Sequence, residues 1–457
     1  MPPPGADPGY LAWGRVHRSR HRVVRPRFAE EAARAGGDAP NGVARLAYGR
    51  GRSYGDVCLN DGGTLIDMSG LDRVVAFDPA TGRLTCEAGL ILRDILADLV
   101  RPAEGGGWWF PPVLPGTKFV TVGGAIANDV HGKNHHDAGS FGDHVLALDL
   151  VRSSGETLTC SPRENARLFR ATIGGMGLTG LIVRATLQLA RVPGLLLDVE
   201  DIRMDDLDAF YALDAESKAA WPYTVAWVDC LARGRRLGRG VFTRARPIAH
   251  GPLPESAARL GEPKLAVPVT PPVSPLNRVT LAAFNAAYAR RLMGRRSVRR
   301  VRPYDPVFFP LDGIGGWNRL YGKAGFFQYQ CVVPPAEAPA ALRALLDEVA
   351  RARQGSFLAV LKTFGDRPAP GLMSFARPGT TLALDFPNRG AATRALLDRL
   401  DAVVVEAGGR IYPAKDGRVA ADAFRRFFPE WEAFAAHVDP GFSSDFWRRV
   451  TGGAGSA

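Results

Sequence analysis

Residues 113–145 read VLPGTKFVTVGGAIANDVHGKNHHDAGSFGDHV, a run of closely spaced glycines and small side chains that includes three histidines within six positions, His131, His135 and His136. Within it, Thr121-Val122-Gly123-Gly124-Ala125-Ile126-Ala127 predicts a turn that leads into a short helix. The first N–H groups of such a helix can face an anion, and small residues let the main chain approach a flat ligand closely. We therefore interpret these residues as a binding loop rather than as a glycine-rich surface loop.

Two further glycine loops accompany this one. Upstream, a predicted strand at Ala44–Tyr48 runs into residues 49–56 (GRGRSYGD), and downstream a predicted helix near Glu164–Ala171 leads to residues 174–180 (GGMGLTG). The upstream loop does not fit a Rossmann turn, because its spacing is not GxGxxG and a strand, Thr64–Met68, follows it instead of a helix. A strand–loop–strand unit can nevertheless direct backbone amides at a pyrophosphate.

Composition limits the class of protein. A chain of 457 residues with 46% hydrophobic and 23% charged residues is expected to be globular and to form two domains. No apolar run is long enough to span a membrane, and no secretory signal is recognisable, so we expect a cytoplasmic protein. The five scattered cysteines predict free thiols. A net charge of +12 indicates an anionic partner or a solvated, arginine-rich surface.

The second half of the chain has a different pattern. Residues 245–277 are rich in proline and are predicted to be loop, and Arg278–Met293 is predicted to be an amphipathic helix. The segments that follow predict an antiparallel sheet with helices on one face. They are, in order, strand Phe326–Val333, helix Ala336–Arg353, strand Phe357–Phe364, strand Leu382–Phe386 and helix Ala391–Ala407.

The order of the three glycine loops resembles the FAD-binding domain of vanillyl-alcohol-oxidase-type flavoproteins. Within that superfamily, the chain is most similar over nearly its whole length to the flavoprotein oxidase subunits of decaprenylphosphoryl-β-D-ribose 2-epimerases. The resemblance implies an α+β, two-domain flavoprotein. The FAD-binding domain would cover residues 9–192, a substrate-binding domain with an antiparallel sheet residues 193–410, and a C-terminal return to the FAD domain residues 411–450.

The resemblance also implies the residues that contact FAD. They are Tyr48, Gly49, Arg50, Gly51, Arg52, Ser53, Tyr54, Gly55, Asp56, Val57, Gly116, Thr121, Val122, Gly123, Gly124, Asn128, Asp129, Val130, His131, Ile182 and Tyr412. Some members of the superfamily attach the flavin covalently through a histidine in the first glycine loop. Arg52 stands at the matching position, so we expect FAD to bind non-covalently.

Lys415 and His131 are the candidate catalytic residues. Lys415 lies in the short motif YPAKD, where a lysine could hold the substrate oxygen and stabilise negative charge. The residues that resemble family residues of the substrate pocket are Lys133, Trp227, Arg319, Gln328, Gln330, Lys362, Phe364 and Lys415. Taken alone, the two glutamines are better explained by a polar solvent face, and residues 131–133 would equally suit a solvated turn. His135 and His136 have no further ligand at a zinc spacing, so we expect no metal.

The resemblance implies an FAD-dependent oxidase that converts the 2-hydroxyl of a prenylphosphoryl-β-D-ribose to a ketone. A separate NADH-dependent keto-reductase would complete epimerisation to an arabinose donor for cell-wall arabinan. The main alternative is a soluble alditol or aldonolactone oxidase, which typically carries the covalent histidine and an HWGK-like motif. Thr381, Ala383 and Phe308 replace polar or thiol side chains of known relatives, which leaves the substrate open. A nucleic-acid-binding protein would explain the charge but not the glycine loops.

Residues 278–302 suggest contact with a membrane. Leu281, Phe284, Tyr288 and Leu292 form a stripe on the predicted helix. Arginines cluster at its end, at positions 290, 291, 295, 296, 299, 300 and 302. We therefore hypothesise a mobile flap that meets an anionic lipid surface; the alternative is a core-packed helix with a solvated basic tail.

Overall fold

The computed structural model describes residues 10–37, 42–250, 263, 265–272, 274–276, 278–289, 292 and 294–452. Its strands are, in chain order, β1 (Arg22–Val24), β2 (Arg45–Tyr48), β3 (Thr64–Asp67), β4 (Val74–Asp78), β5 (Arg83–Glu87), β6 (Trp108–Phe110), β7 (Val145–Val151), β8 (Thr157–Cys160), β9 (Leu181–Gln188), β10 (Ala190–Val192), β11 (Leu196–Met204), β12 (Tyr223–Val228), β13 (Gly240–Ile248), β14 (Leu265–Ala266), β15 (Ser297–Pro303), β16 (Ile314–Gly315), β17 (Phe326–Val333), β18 (Ala359–Phe364), β19 (Gly379–Pro387) and β20 (Arg410–Ile411).

The α-helices alternate with these strands. They are α1 (Ala29–Gly37), α2 (Leu92–Asp98), α3 (Val122–Ala127), α4 (His135–Ala138), α5 (Ala166–Thr172), α6 (Leu207–Ser217), α7 (Arg278–Ala289), α8 (Tyr304–Phe308), α9 (Ala338–Ala352), α10 (Ala391–Glu406), α11 (Ala421–Phe427), α12 (Trp431–Ala435) and α13 (Asp445–Thr451). The predicted α+β architecture is confirmed. Every helix in the described residues falls short of the length and apolar character that a bilayer crossing requires.

The first part of the chain forms two sheets. β1, β3 and β2 make a small parallel sheet, and β4-β5-β9-β7-β8 make an antiparallel one. Strand β9 is buried on both faces of the antiparallel sheet, since the consecutive residues Leu181, Ile182 and Val183, and also Ala185, are buried. Helix α3 lies against β9 and carries the central glycine loop, so the loop is fixed to a packed core.

The second part forms a larger sheet, in which the strand order is β15-β11-β13-β12-β18-β19-β17-β20 and neighbours are antiparallel. Along each central strand, successive side chains point to opposite faces of the sheet. The side chains that pack with α9 and α10 are Tyr329, Cys331, Leu361, Leu382 and Leu384. Those on the opposite face, toward the glycine loops, are Gln328, Gln330, Lys362, Thr381 and Ala383. One face is therefore core and the other is a site.

The end of the described chain returns to the glycine loops. After β20, Tyr412 donates its hydroxyl proton to the carbonyl of Asn128 at 2.8 Å. Arg449 in α13 contacts both carboxylate oxygens of Asp56 at 2.8 and 2.7 Å and Asp416 at 2.9 Å. These contacts hold the first glycine loop against the last helix.

Several predicted elements differ from the structure. Strand β17 has the predicted bounds, whereas β11 and α6 occupy residues for which no element was predicted. Residues 245–277 are not entirely loop: β13 continues to Ile248 and β14 spans Leu265–Ala266, while residues 251–262 lie outside the described residues. Pairing with a neighbouring strand, not local composition, stabilises both additions.

The proposed flap is also corrected. Leu281 and Leu292 are only 2% and 3% exposed, and the ring of Tyr288 packs 4.4 Å from that of Trp227. The apolar stripe thus faces the protein; Arg290, Arg291 and the side chain of Phe284 lie outside the described residues.

The arginine-rich segment forms β15, the edge strand beside β11. Acidic residues on β11 explain this arrangement, because Asp198 accepts hydrogen bonds from Arg299 at 2.7 Å and Arg246 at 3.1 Å. Glu200 pairs in the same way with Arg244 at 2.8 Å. Arg299 of β15, and Arg244 and Arg246 of β13, are thus held in ion pairs with β11 rather than carried on a flap.

Candidate active site

A cavity of about 610 Å³ lies between the glycine loops and the polar face of the large sheet. One wall consists of residues 47–54, 114–117, 119–121, 123 and 124 together with Gly177, Gly180 and Ile182. The other wall consists of residues from β12, β17, β18 and β19 together with Tyr412, Ala414 and Lys415. Neither half of the chain encloses this space alone.

The glycine wall fits a large, planar cofactor. A Cβ atom at Gly49 would lie 2.5 Å from the hydroxyl oxygen of Thr121, so a larger residue there would disturb the loop. A Cβ at Gly116 would meet no atom within 4 Å, which leaves open space along the backbone. In the described part of the chain, Asn128 Oδ1 is buried at this wall without a hydrogen-bond partner. An FAD donor group would satisfy that acceptor.

The opposite wall carries a network around His131. Lys362 Nζ lies 2.9 Å from His131 Nδ1 and donates to the carbonyl of Gly132 at 2.9 Å. The amide nitrogen of Gln330 lies 3.0 Å from His131 Nε2 and donates to Thr381 Oγ1 at 3.2 Å. Burial, followed by the charge of Lys362, lowers the pKa of His131 well below its usual range. His131 is therefore neutral near pH 7.

A second network surrounds Lys415. Its Nζ lies 3.9 Å from the centre of the buried Tyr54 ring. Gln328 Nε2 donates to Asp385 Oδ1 at 2.6 Å, and burial raises the pKa of Asp385 to about 7. Burial lowers the pKa of Lys415 to about 8, against the opposing effect of Asp385. Lys415 can thus gain or lose a proton close to neutral pH.

Lys133 completes a group of three lysines at the cavity wall. Its Nζ donates to the carbonyl of Phe308 at 2.9 Å, and burial lowers its pKa to about 8 against the effect of Asp312. Burial, then the charges of Lys133 and Lys415, lower the pKa of Lys362 well below its usual range. Three positive charges at this wall would repel one another unless an anion balanced them.

The structure brings most of the candidate residues to this cavity. Those that line it are Tyr48, Gly49, Arg50, Gly51, Arg52, Ser53, Tyr54, Val57, Gly116, Thr121, Gly123, Gly124, Asn128, Val130, His131, Lys133, Ile182, Trp227, Gln328, Gln330, Lys362, Tyr412 and Lys415.

Other candidate residues lie behind the wall. Asp56 is paired with Arg449, and Gly55 packs so closely that a Cβ would lie 1.5 Å from the carbonyl of Asp416. Val122 is buried beneath the loop. Asp129, at φ +40°, accepts hydrogen bonds from Ser140 Oγ at 2.9 Å and Gly142 N at 2.9 Å. These residues shape the loops from behind.

Two candidate substrate residues are also absent from the lining. Arg319, in a short 3₁₀ helix at Trp317–Tyr321, is exposed and donates to the carbonyls of Val267 and Pro268 at 2.9 and 2.7 Å. Phe364 packs its ring 4.9 Å from that of His131. It positions the imidazole rather than facing the cavity.

Sequence reasoning missed Asp385 and Trp13. A carboxylate inside the apolar strand LALDFP could have marked Asp385 as a buried acid that requires a partner. Trp13 lines the cavity through the ring on which Arg52 stacks at 4.3 Å, and no local pattern indicates this contact. Among the described residues, no group of histidine, cysteine and acidic side chains has the arrangement of a metal site.

Comparisons with known proteins agree with this geometry. Residues 21–161 match the FAD binding domain family. The chain is 36% identical over 455 residues to decaprenylphosphoryl-β-D-ribose oxidase of Mycolicibacterium smegmatis, which covers 96% of both chains. It is 36% identical over 372 residues to an uncharacterised protein in the mprA 5′ region of Streptomyces coelicolor, which covers 78% of this chain and 98% of that protein. L-Gulonolactone oxidase of Mus musculus is 33% identical over 142 residues, 31% of this chain and 30% of that protein.

Proposed function

This chain belongs to the family of FAD-dependent oxidases that includes decaprenylphosphoryl-β-D-ribose oxidase, and from that membership we propose that it oxidises the 2-hydroxyl of a prenylphosphoryl-β-D-ribose to a ketone. The observation that carries the proposal is one cavity in which a glycine wall faces three lysines. The wall suits a planar cofactor, and the lysines suit a phosphorylated substrate. Bound FAD supplies the acceptor for the hydride that leaves the substrate carbon.

The polar wall suits the other half of this reaction, in which the hydroxyl group is polarised and loses its proton. Lys415 in its ammonium form donates to the oxygen of the hydroxyl group that becomes the ketone and stabilises the negative charge that develops on that oxygen. His131 is neutral, and its ring is fixed by Lys362, Gln330 and Phe364. A fixed neutral imidazole can accept the proton that the hydroxyl loses. Gln328 and Gln330 orient the sugar from the sheet.

Anaerobic flavin reduction tests this proposal. Holoenzyme mixed with farnesylphosphoryl-β-D-ribose is expected to lose its oxidised flavin absorbance, with a product that carries a 2-keto group. Xylitol and L-gulonolactone serve as controls for the alditol and aldonolactone alternative, and each is expected to reduce the flavin much more slowly. Faster reduction by either control, or none by the prenylphosphoryl sugar, contradicts the proposed function.

The ketone product requires a second enzyme to become an arabinose derivative. We propose a separate NADH-dependent keto-reductase, which would reduce the 2-keto sugar from the opposite face. Addition of such a reductase with NADH to the oxidase reaction should convert the ketone into the prenylphosphoryl arabinose epimer. Accumulation of the ketone alone under these conditions would count against the pairing.

The remaining part of the proposal is contact with a membrane. We now assign this contact to side chains at the rim of the cavity instead of to a flap at residues 278–302. Val301 is 58% exposed beside Arg302, which lines the cavity, and Leu265 and Val269 are 68% and 70% exposed. Leu265 lies on β14, whose partner strand β16 also reaches the cavity. Exposed apolar side chains beside arginines suit an anionic lipid surface.

Co-sedimentation with phosphatidylglycerol vesicles tests this contact. Substitution of Arg295, Arg296 and Arg300, all exposed, by glutamine should weaken binding by about 1 kcal/mol per residue while flavin content stays unchanged. Lys323→Gln, at an exposed position, is the matched control. Equal binding of the triple variant and wild type, or no binding by wild type at moderate salt, refutes the contact.

A further inference from the structure

Lys362 differs from the other two cavity lysines in how its charge is balanced. Burial lowers the pKa of Lys415 and of Lys133, but Asp385 and Asp312, respectively, act in the opposite direction. For Lys362, burial and the charges of Lys133 and Lys415 all lower the pKa. In the described residues, neither Lys133 nor Lys362 forms an ion pair; each donates instead to a backbone carbonyl. Both therefore lack a full counter-charge.

The hydrogen bonds of His131 indicate the protonation state that results. With its amide placed as it is, Gln330 uses its nitrogen to donate to both Thr381 Oγ1 and His131 Nε2. A neutral imidazole that accepts at Nε2 carries its proton on Nδ1 and donates to Lys362 Nζ. That bond requires an uncharged amine on Lys362. Without an anion, the network thus holds Lys362 neutral.

An anion would reverse this state. A phosphate oxygen near Lys362 would favour the ammonium form, which donates to that oxygen in place of the bond that the neutral amine accepts from His131 Nδ1, so that His131 keeps the tautomer that accepts at Nε2. A second oxygen could accept from Lys133. Both lysines line the same cavity, and they are near enough for Lys133 to affect the pKa of Lys362. A phosphodiester has two non-bridging oxygens and one negative charge. The two oxygens match the two lysine amines as acceptors, and the single charge matches the one positive charge that Lys362 gains on protonation.

We propose that Lys133 and Lys362 form the subsite that binds the phosphodiester of the substrate, through one non-bridging oxygen each. The identity of this ligand rests on the proposed function. The subsite leaves Lys415 free to act at the sugar, so that two of the lysines select the substrate and the third serves the chemistry. A neutral polyol or lactone would leave the two-lysine subsite empty, which favours phosphorylated sugars over such substrates.

Binding of a probe without the sugar tests the subsite directly. Farnesyl methyl phosphate is titrated into holoenzyme of wild type, Lys133→Met, Lys362→Met and the exposed control Lys323→Met, with flavin absorbance as the check on folding. Each cavity variant is expected to weaken binding roughly 30-fold, because one charge-assisted hydrogen bond is lost, whereas the control binds like wild type. Wild-type affinity in both cavity variants overturns the proposal.

Proton uptake provides a second readout. The groups that face the two lysines are His131, His135, Lys415 and Asp312. A phosphodiester does not titrate near neutral pH, so calorimetry in two buffers of different ionisation enthalpy measures protons taken up by the protein. Wild type should take up about one proton on binding, and Lys362→Met none. Equal uptake by the two proteins contradicts the assignment to Lys362.

These outcomes are separable from those for the proposed function. If prenylphosphoryl ribose fails to reduce the flavin while the probe still binds through both lysines, the proposed oxidation is wrong and the phosphodiester subsite stands. If the sugar reduces the flavin and both Met variants keep wild-type KM and probe affinity, the oxidation stands and the subsite is wrong.

Discussion

Lys415 illustrates how burial alone can prepare one side chain for chemistry. Its amine lies over the Tyr54 ring, and its pKa falls to about 8 because water is excluded around it. A lysine in water stays charged well above this pH, whereas Lys415 exchanges its proton near neutrality. The proposed role requires the charged form, which predominates below about pH 8.

Substitution of Lys415 tests that role. Lys415→Ala should retain the flavin absorbance and lose flavin reduction by about 100-fold or more, because a charge-assisted contact to the developing anion is removed. In wild type, the rate of reduction should fall as pH rises through about 8, since the ammonium group loses its proton there. Lys415→Arg should shift this fall to higher pH. Stopped-flow reduction that instead increases through pH 8 would show that the neutral amine acts as a base.

Arg52 supports a prediction about the attachment of FAD. Its guanidinium stacks 4.3 Å from the Trp13 ring and donates to the carbonyl of Arg50 at 2.9 Å. A guanidinium forms no covalent bond to a flavin, so acid precipitation should release the whole chromophore into the supernatant. Yellow colour or fluorescence that remains on the denatured polypeptide would contradict non-covalent binding.

Individual residues differ in how far the sequence predicts their place. Gln328 and Gln330 lie two positions apart on a strand, and the structure puts both on the cavity face, as that spacing predicts. Arg319 could not be located in the same way, because its partners Val267 and Pro268 belong to a loop distant in sequence. Residues that act through long-range contacts, such as Phe364 behind His131, leave no local pattern.

At the scale of elements, α3 depends on its first residue. Thr121 caps this short helix by accepting a hydrogen bond from Gly124 N at 3.1 Å, and the same hydroxyl lies close to Gly49. A helix of six residues is too short to be stable alone, so its cap and its packing against β9 hold the loop.

Thr121→Ala should therefore reduce stability and cofactor affinity together. Loss of the cap is expected to cost about 1 kcal/mol in the free energy of unfolding, and FAD should dissociate more readily. Thr121→Ser keeps the hydroxyl and is the control. Denaturant unfolding and flavin release are the measurements; equal values for the alanine and serine variants would mean that the cap is unimportant.

The elements show why local pattern predicts one region better than another. Strand β17 is flanked by clear signals and has its predicted bounds. Strands β11 and β15 carry charged residues that look solvated in sequence, yet the two strands pair with each other, and Asp198 of β11 binds Arg299 of β15. Because that complementarity spans about a hundred residues, no window along the chain reveals it.

At the scale of the whole molecule, an ion pair joins the central glycine loop to α8, which lines the cavity. Lys118, only 1% exposed, contacts Asp305 at 2.6 Å, and its backbone N–H donates to Asp312 at 2.9 Å. The loop that carries Gly116 is thereby tied to α8 and the segment after it. We expect this attachment to keep the cavity closed.

Lys118→Met should loosen that closure. Removal of the lysine takes away a buried positive charge that balances Asp305 and is expected to destabilise the protein by about 3 kcal/mol. The double variant Lys118→Met, Asp305→Asn should recover part of the loss, and the exposed Lys323→Met should have no effect. Unfolding curves and the rate of FAD release measure both changes. A single variant as stable as wild type would exclude a clamping role.

The contact between Asp56 and Arg449 has a consequence for how the protein is made. The two residues are 393 positions apart, yet their pairing secures the first glycine loop. A ribosome produces the loop early and the helix that holds it late, so the nascent chain carries a loop without its anchor through most of synthesis. Capture of FAD should therefore follow translation of the last helix, and chains shortened before residue 445 should be left to chaperones and proteases without ever acquiring the cofactor.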